Sequence, residues 1–440
     1  DRRNVILFGQ TDRVFSFGQP DPTVPRLTGD LPSQVVRIAG PSCAIHNLLI
    51  QTERTSNKPD GIRYDRTSGA ILGRLRNVTT NSCKNGLTFS WNGVTNNRFA
   101  GFQVFDSDFS NSSENGILLK DGLEALWCNN VRAGGSGLDG VRIEDWKTFR
   151  FSGGSLAIQS GEWGVRIVPG SGALAEGLDF SGSTFDANAK GGILVDPDPN
   201  ATAKLLSLRT MQISFSLNAN APGLRVAGPF DQIVMANVDF PVNAGSGAEI
   251  MDGETLIFSG CTFNDNGLSG SSTHVGLDIS GGNNIIVTGC SATDHPNAKQ
   301  EIGFRFSGGS NLTVLANRSA NNQTSDWDAS VPLAEAFGNE GLENTTQSSL
   351  AFADDFQGVV WENASDTYRQ FSSPTDGKLR VTHEGDPDPM MLFAGASNLI
   401  EMNRTVSFAG SPKVQGLVAS DVSAAPASHV GSGGTSEHPA

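Results

Sequence analysis

Along most of the chain apolar residues alternate with polar ones behind a glycine, in the order glycine, apolar, variable, apolar. The unit appears as Gly61-Ile62-Arg63-Tyr64, Gly86-Leu87-Thr88-Phe89, Gly116-Ile117-Leu118-Leu119, Gly140-Val141-Arg142-Ile143 and Gly164-Val165-Arg166-Ile167. It continues as Gly192-Ile193-Leu194-Val195, Gly223-Leu224-Arg225-Val226, Gly247-Ala248-Glu249-Ile250, Gly276-Leu277-Asp278-Ile279 and Gly303-Phe304-Arg305-Phe306. The intervals run 25, 30, 24, 24, 28, 31, 24, 29 and 27, a mean of about 27 residues. A period of that size marks a repeat architecture. Alternation with period two marks strands with one buried face.

A second apolar strand begins nine residues after the glycine at Phe149, Leu256, Ile285 and Leu312. Two strands per period leave no room for a crossover helix, so each unit is one turn of a coil that buries its apolar face only by stacking on its neighbours. The pattern predicts about ten stacked coils over residues 35–322, an all-β parallel solenoid. It also predicts an interior ladder fourteen residues after the glycines, at Asn237, Cys261, Cys290 and Asn317, with the two cysteines one above the other. Short Asn and Gly clusters, such as Asn264-Asp265-Asn266-Gly267, suit left-handed corners and amide stacking along the axis.

The opening run Val35-Val36-Arg37-Ile38, Ala44-Ile45-His46-Asn47-Leu48-Leu49-Ile50 and Gly61-Ile62-Arg63-Tyr64 resembles the first coils of the pectate-lyase-like family of right-handed parallel β-helices. That family includes lyases, glycosidases, epimerases and bacteriophage tailspikes, so the resemblance speaks for fold more than function. Residues 1–34 lack the family's amphipathic cap helix and form an N-terminal extension or cap region. Residues 323–423 lose the period and read as a small C-terminal β domain, and the Ala, Ser, Gly and Pro-rich tail 424–440 reads as mobile. The first residue is Asp1, which fits a processed or partial chain, and no signal peptide opens it.

The formal net charge of -15 opposes nucleic acid and anionic membranes alike. No apolar run is long enough to span a bilayer. Five cysteines at wide spacing do not make a disulfide framework and read as buried thiols. His46, His274 and His295 stand at no ligand spacing, and Asp106-Ser107-Asp108 lacks a full calcium-loop pattern, so neither a metal nor another cofactor is expected.

Candidate chemistry gathers on the variable, outward position of the repeat: Arg63, Thr88, Leu118, Arg142, Arg166, Leu194, Arg225, Glu249, Asp278 and Arg305. One reading is a basic stripe that binds carboxylates or sulfates of an acidic polysaccharide. The other is a ladder of ion pairs, Arg225 with Glu249 and Asp278 with Arg305. Arg142 and Arg166 stack on each other and fall outside that ladder, requiring a partner or a ligand. After Gly164 and Gly192 the second strand starts five residues late, at Leu178 and Leu206, which inserts loops at 168–172 and 196–200. These loops, with Arg142, Arg166, Trp146, Trp163 and Asp198, make a candidate groove in which an exposed indole would face a pyranose ring. The alternative places both tryptophans at coil ends. Candidate catalytic carboxylates are Glu144, Asp145, Asp196, Glu249 and Asp278, because neighbouring coils bring pairs within the ~5 to 9.5 Å used in glycoside hydrolysis. Substrate contacts are expected from Arg225 and Arg305 as well.

The resemblance implies a phage-type spike that binds, and in one version depolymerises, a bacterial surface polysaccharide, as a homotrimer joined to other virion proteins through its N-terminal side. The rival is a secreted lyase, glycosidase or C5-epimerase with the solenoid as catalytic body. A third expectation is a non-enzymatic shaft or head decoration.

Overall fold

The computed structural model describes residues 34–38, 42–52, 54–66, 72–91, 101–120, 123–214, 221–268, 274–295 and 299–340 of the solenoid. It also describes strands Val5–Phe8 and Arg26–Thr28, together with five strands after residue 356. The chain divides into two compact units, Asp1–Glu343 and Asn344–Ala440. Among the described residues every element is a strand.

The first unit is built on two long parallel sheets. One has twelve strands, and all ten glycine-led segments lie in it in order, preceded by Gln34–Ile38 and followed by Ser325–Ala329. The other has sixteen strands and contains the second strand of each coil. Register follows the apolar pattern: Phe149 pairs with Leu178, Leu178 with Leu206, Leu206 with Ile233, and the column runs on through Leu256 and Ile285 to Leu312. The late starts at Leu178 and Leu206 therefore restore register after the inserted loops. Inward residues form one continuous core with runs of aromatic contacts, such as Phe149 with Phe180 at 5.6 Å and Phe240 with Phe263 at 4.9 Å between ring centres.

The recurring glycine has a steric cause. A Cβ on Gly61 would lie 2.7 Å from the carbonyl oxygen of Gly86, and on Gly116 2.7 Å from that of Gly140. The same approach, 2.5 to 2.8 Å, repeats from each glycine to the next as far as Gly303. Coils that pack this closely at one corner admit no side chain there.

Another corner is an unbroken left-handed column. Asn47, Asn77, Asp106, Asn130, Gly153, Gly182, Thr210, Asn237, Gly260, Gly289, Ala316 and Gly338 all have positive φ. Asn, Asp and Gly dominate it because they adopt that conformation at least cost. This column corrects the predicted interior ladder. Asn237 stands in the exposed corner, since its coil starts the second strand at ten rather than nine, and Val238 takes the inward place. Cys261, Cys290 and Asn317 do stack inside: Asp239 bridges Thr262, Thr262 bridges Ser291, and Asn317 Oδ1 accepts a hydrogen bond from the Cys290 N–H at 2.8 Å. Burial pushes the thiols of Cys83, to about 11, and Cys128 upward, as packing without reactivity requires. The fifth cysteine, Cys43, has a side chain outside the described residues.

Two boundaries move. Residues 323–340 belong to the solenoid rather than to the C-terminal domain: Ser325–Ala329 pairs in parallel with Ile302–Phe306, and Glu335–Phe337 with Leu312–Leu315. The period was invisible there because Trp327 alone fills the inward place of its strand, stacking on Phe304 at 4.5 Å. Within residues 1–34, Val5–Phe8 and Arg26–Thr28 pair in parallel with Ser42–Gln51 and so add to the second sheet. The second unit carries a five-stranded antiparallel meander from Gln357–Glu362 to Leu399–Met402. The tail 424–440 lies outside the described residues.

Candidate functional site

The outward column of the glycine-led sheet is as the sequence predicts, with Arg63 beside Thr88, Thr88 beside Leu118, Leu118 beside Arg142 and Arg142 beside Arg166. Further on, Leu194 stands beside Arg225, then Glu249, Asp278 and Arg305. Its two halves differ. Arg225 donates to Glu249 Oε2 through Nε at 2.8 Å and Nη2 at 2.6 Å. Arg305 donates to Asp278 through Nε at 2.9 Å and Nη2 at 2.5 Å. The hydrogen bond to Asp278 holds the Arg305 guanidinium above its usual range, against the effect of burial. These four residues therefore form the ion-pair ladder, and their charges are spent on one another.

Arg142 and Arg166 are not left facing each other. Arg142 donates to Glu144 Oε1 at 2.6 Å and to Asp139 Oδ2 at 3.3 Å, and Arg166 donates to Glu162 Oε2 at 2.8 Å. The expected repulsion is relieved by acids on the turn before each strand and, for Arg142, by Glu144 two residues on. Burial opposes the charge on Arg142, yet Glu144 and Asp139 outweigh it and raise its pKa.

The tryptophan half of the expected site is overturned. Trp146 is 1% exposed and packs edge-on to Phe89 at 5.3 Å, while Trp163 is 5% exposed. Trp146 belongs to the core, and the buried ring of Trp163 lies against Gly191 of the next coil, so neither indole can face a sugar. Asp145 accepts a hydrogen bond from the Leu174 N–H at 2.9 Å and ties the inserted loop to the coil beneath. Asp198 accepts from the N–H and side-chain amide of Asn200 at 2.8 and 3.2 Å, a local turn, and Asp196 is exposed. The two insertions stack on each other, with the Asp198 N–H bonded to the Pro169 carbonyl at 2.9 Å. Glu144 and Asp196 stand two coils apart, through the succession Ile143, Ile167, Val195.

A groove of about 370 Å³ opens instead along the first half of the column. Arg63, Lys84, Lys120 and Arg142 line it together with Asp60, Glu114 and Glu144, over a floor that includes Asn85, Thr88, Asn115, Leu118 and Leu138. Thr88 and Leu118 are the uncharged rungs between Arg63 and Arg142, which makes the depression. Lys84 pairs with Glu114 at 3.5 Å and Arg63 with Asp60 at 3.7 Å. Among the described residues no acid lies within 4 Å of the Lys120 ammonium.

Beneath the groove runs a buried polar ladder of the residues that precede the glycines. Asn85 Nδ2 donates to Asp60 Oδ1 at 2.8 Å, Asn115 Nδ2 donates to Asn85 Oδ1 at 2.8 Å, and the Asp139 N–H donates to Asn115 Oδ1 at 3.4 Å. The Trp163 N–H closes it on Asp139 Oδ1 at 3.2 Å. Burial raises the pKa of Asp139, against the pull of the Trp163 N–H, Arg166 and Arg142. The ladder fixes the walls, because its two aspartates anchor Arg63 and Arg142. Lys84, Glu114 and Lys120 escaped the sequence reading, since they sit on turns where no alternation marks them. The repeated Asp or Asn before the first four glycines was the available signal.

Residues 163–365 match the family model described as "Right handed beta helix region". The solenoid is a right-handed parallel β-helix. No curated protein matches this β-helix chain. Among solved structures it is similar to the A-module of mannuronan C-5 epimerase AlgE6 from Azotobacter vinelandii, at 14% identity over 70% of this chain and 92% of that one, with a TM-score of 0.44. It is also similar to tailspike protein 3 of bacteriophage CBA120, at 13% identity over 86% and 58% of the two chains, TM-score 0.42. A third is ORF18 of Geobacillus virus E2, at 12% identity over 85% and 72%, TM-score 0.42. Among the described residues no three His, Cys, Asp or Glu side chains cluster as metal ligands would, and no helix is long and apolar enough to cross a membrane.

Proposed function

We propose that the β-helix binds an acidic bacterial surface polysaccharide in the groove between Arg63 and Arg142. The observation that carries this is the charge layout: four cations and three carboxylates line one depression in a protein of net charge -15. Guanidinium and ammonium groups take sugar carboxylates or sulfates, and Glu114 and Glu144 accept sugar hydroxyls. Lys120 is the cation best placed to meet an anion from outside, since among the described residues no acid pairs with it.

In this reading the chain is a spike of a virion, outside the host cell, which works as a homotrimer and meets other virion proteins through its N-terminal side. A binding solenoid followed by a separate antiparallel β unit supports it. Hydrolysis or elimination would need Glu144 or Glu114 as acid or base beside Arg142; Asp145 and Asp198 are engaged in holding loops. The functional role assigned here to Glu249, Asp278, Arg225 and Arg305 is structural.

An array of bacterial capsular and lipopolysaccharide oligosaccharides tests the reading. Wild type binds acidic members, Lys120→Ala binds them about tenfold more weakly, and affinity falls with added salt. Binding confined to neutral members, or unaltered in Lys120→Ala, contradicts it. Product analysis separates activities: unsaturated uronate ends mean a lyase, new reducing ends alone a hydrolase, neither a binding spike. A monomer by light scattering contradicts the spike assembly.

A further inference from the structure

The sixteen-stranded sheet has its own outward column, in a different sheet from the one that carries Arg63 and Arg142. Gln103, Trp127, Arg150 and Asp179 follow one another in it on consecutive coils. Trp127 is 36% exposed, whereas Trp146, Trp163 and Trp327 are all buried. Among the described residues no ring or cation stacks on its indole, and its Nε1–H makes no hydrogen bond to protein. A large apolar ring left open to water costs hydration free energy that packing would recover.

The neighbours of this ring are polar and already oriented. One coil away, Gln103 accepts a hydrogen bond from Arg74 at 2.9 Å, which turns its amide N–H groups free for another acceptor. One coil to the other side, Arg150 Nε donates to Asp179 at 3.1 Å, and its remaining N–H groups face outward on an exposed side chain. Exposed Asn129 stands two residues along the same strand. Donors and acceptors thus flank the indole at the coil spacing of about 4.8 Å, within reach of the hydroxyls of a six-membered sugar stacked on it. Further along the same column the outward residues are Val234, Ile257 and Ile286, which offer no such groups.

We infer that Trp127 is the stacking platform of a second saccharide subsite, on the sheet opposite in kind to the charged groove, selecting a pyranose by its apolar face and its hydroxyls rather than by charge. It takes neutral as well as acidic sugar units. Gln103 and Arg150 are its hydrogen-bonding flanks.

The test uses the full chain on the same oligosaccharide array. Trp127→Ala lowers binding of neutral-unit oligosaccharides roughly tenfold, and Trp127→Phe, which keeps an aromatic ring on the partly covered position, keeps most of it; thermal unfolding of both variants is followed alongside, so that a loss of binding is read only at matched stability. Lys120→Ala weakens only acidic members, so the two sites fail separately. Array binding of Trp127→Ala equal to wild type overturns the inference, as does a wild type that binds no member of the array. A Trp127→Ala variant that alters oligomeric state but not glycan binding overturns it too, and marks the ring as a contact between copies.

Discussion

The two halves of the glycine-led sheet solve one electrostatic problem in opposite ways. From Arg225 to Arg305 opposite charges stand on adjacent coils of the column itself, so each cation is neutralised by its neighbour at 2.5 to 2.9 Å. From Arg63 to Arg142 the cations are separated by Thr88 and Leu118, and acids must come from the turn before the strand or from just beyond it. The first arrangement closes the surface. The second leaves a charged depression with Lys120 at its wall, paired with no acid among the described residues. Binding capacity on a solenoid face is thus set by where the compensating acids sit, not by how many arginines the column holds.

The sharpest way to break this comparison is through the amide ladders beneath each half. Asn115 links Asn85 to Asp139 under the groove, while Asn266 accepts from Asn243 and donates to Gln300 and the Phe240 carbonyl in the other half. Asn115→Ala and Asn266→Ala each leave buried polar groups unpaired and cost about 2 to 3 kcal/mol in urea unfolding. Only Asn115→Ala also weakens acidic-glycan binding. Equal loss of binding in both variants would mean that the ladder merely holds the fold.

A smaller effect comes from the ion pairs. Arg305→Ala leaves Asp278 half-buried beside Glu249 and lowers stability by about 1 kcal/mol, with array binding unchanged. Loss of glycan binding in Arg305→Ala or Arg225→Ala would extend the site over the second half.

The smallest effect is a pH dependence. Burial raises the Asp294 carboxyl to about 6, with a lesser push from the Asp265 carboxylate, against the N–H groups of Gln300 and His295 and the His295 charge. A carboxyl raised in the folded state stabilises fully below its unfolded value near ~4, and that contribution is lost as pH rises through the folded value. Stability therefore declines between about pH 4 and 6 from this group. In Asp294→Asn that part of the slope disappears, as thermal unfolding at several pH values would register.

The glycine column, the stacking order and the register of both sheets were legible in the sequence because each follows from one repeated local constraint: the close approach of coils at Gly61 and its successors, and alternation on either side. The ion-pair ladder was legible for the same reason. Trp146 and Trp163 misled because a tryptophan at a strand's first residues looks like an edge residue until register assigns its face. Asn237 misled because a one-residue change in a turn moves every later position of its coil. Lys84, Glu114 and Lys120 lie on turns, where side-chain direction depends on the stacking of coils 24 to 30 residues apart, and no local pattern encodes that.

Hydrogen exchange with and without a polyuronate oligosaccharide tests the central claim most directly. Protection over residues 84–88, 114–120 and 138–144, with none over 225–305, is the predicted result; protection centred on 225–305, or none in either half, contradicts it.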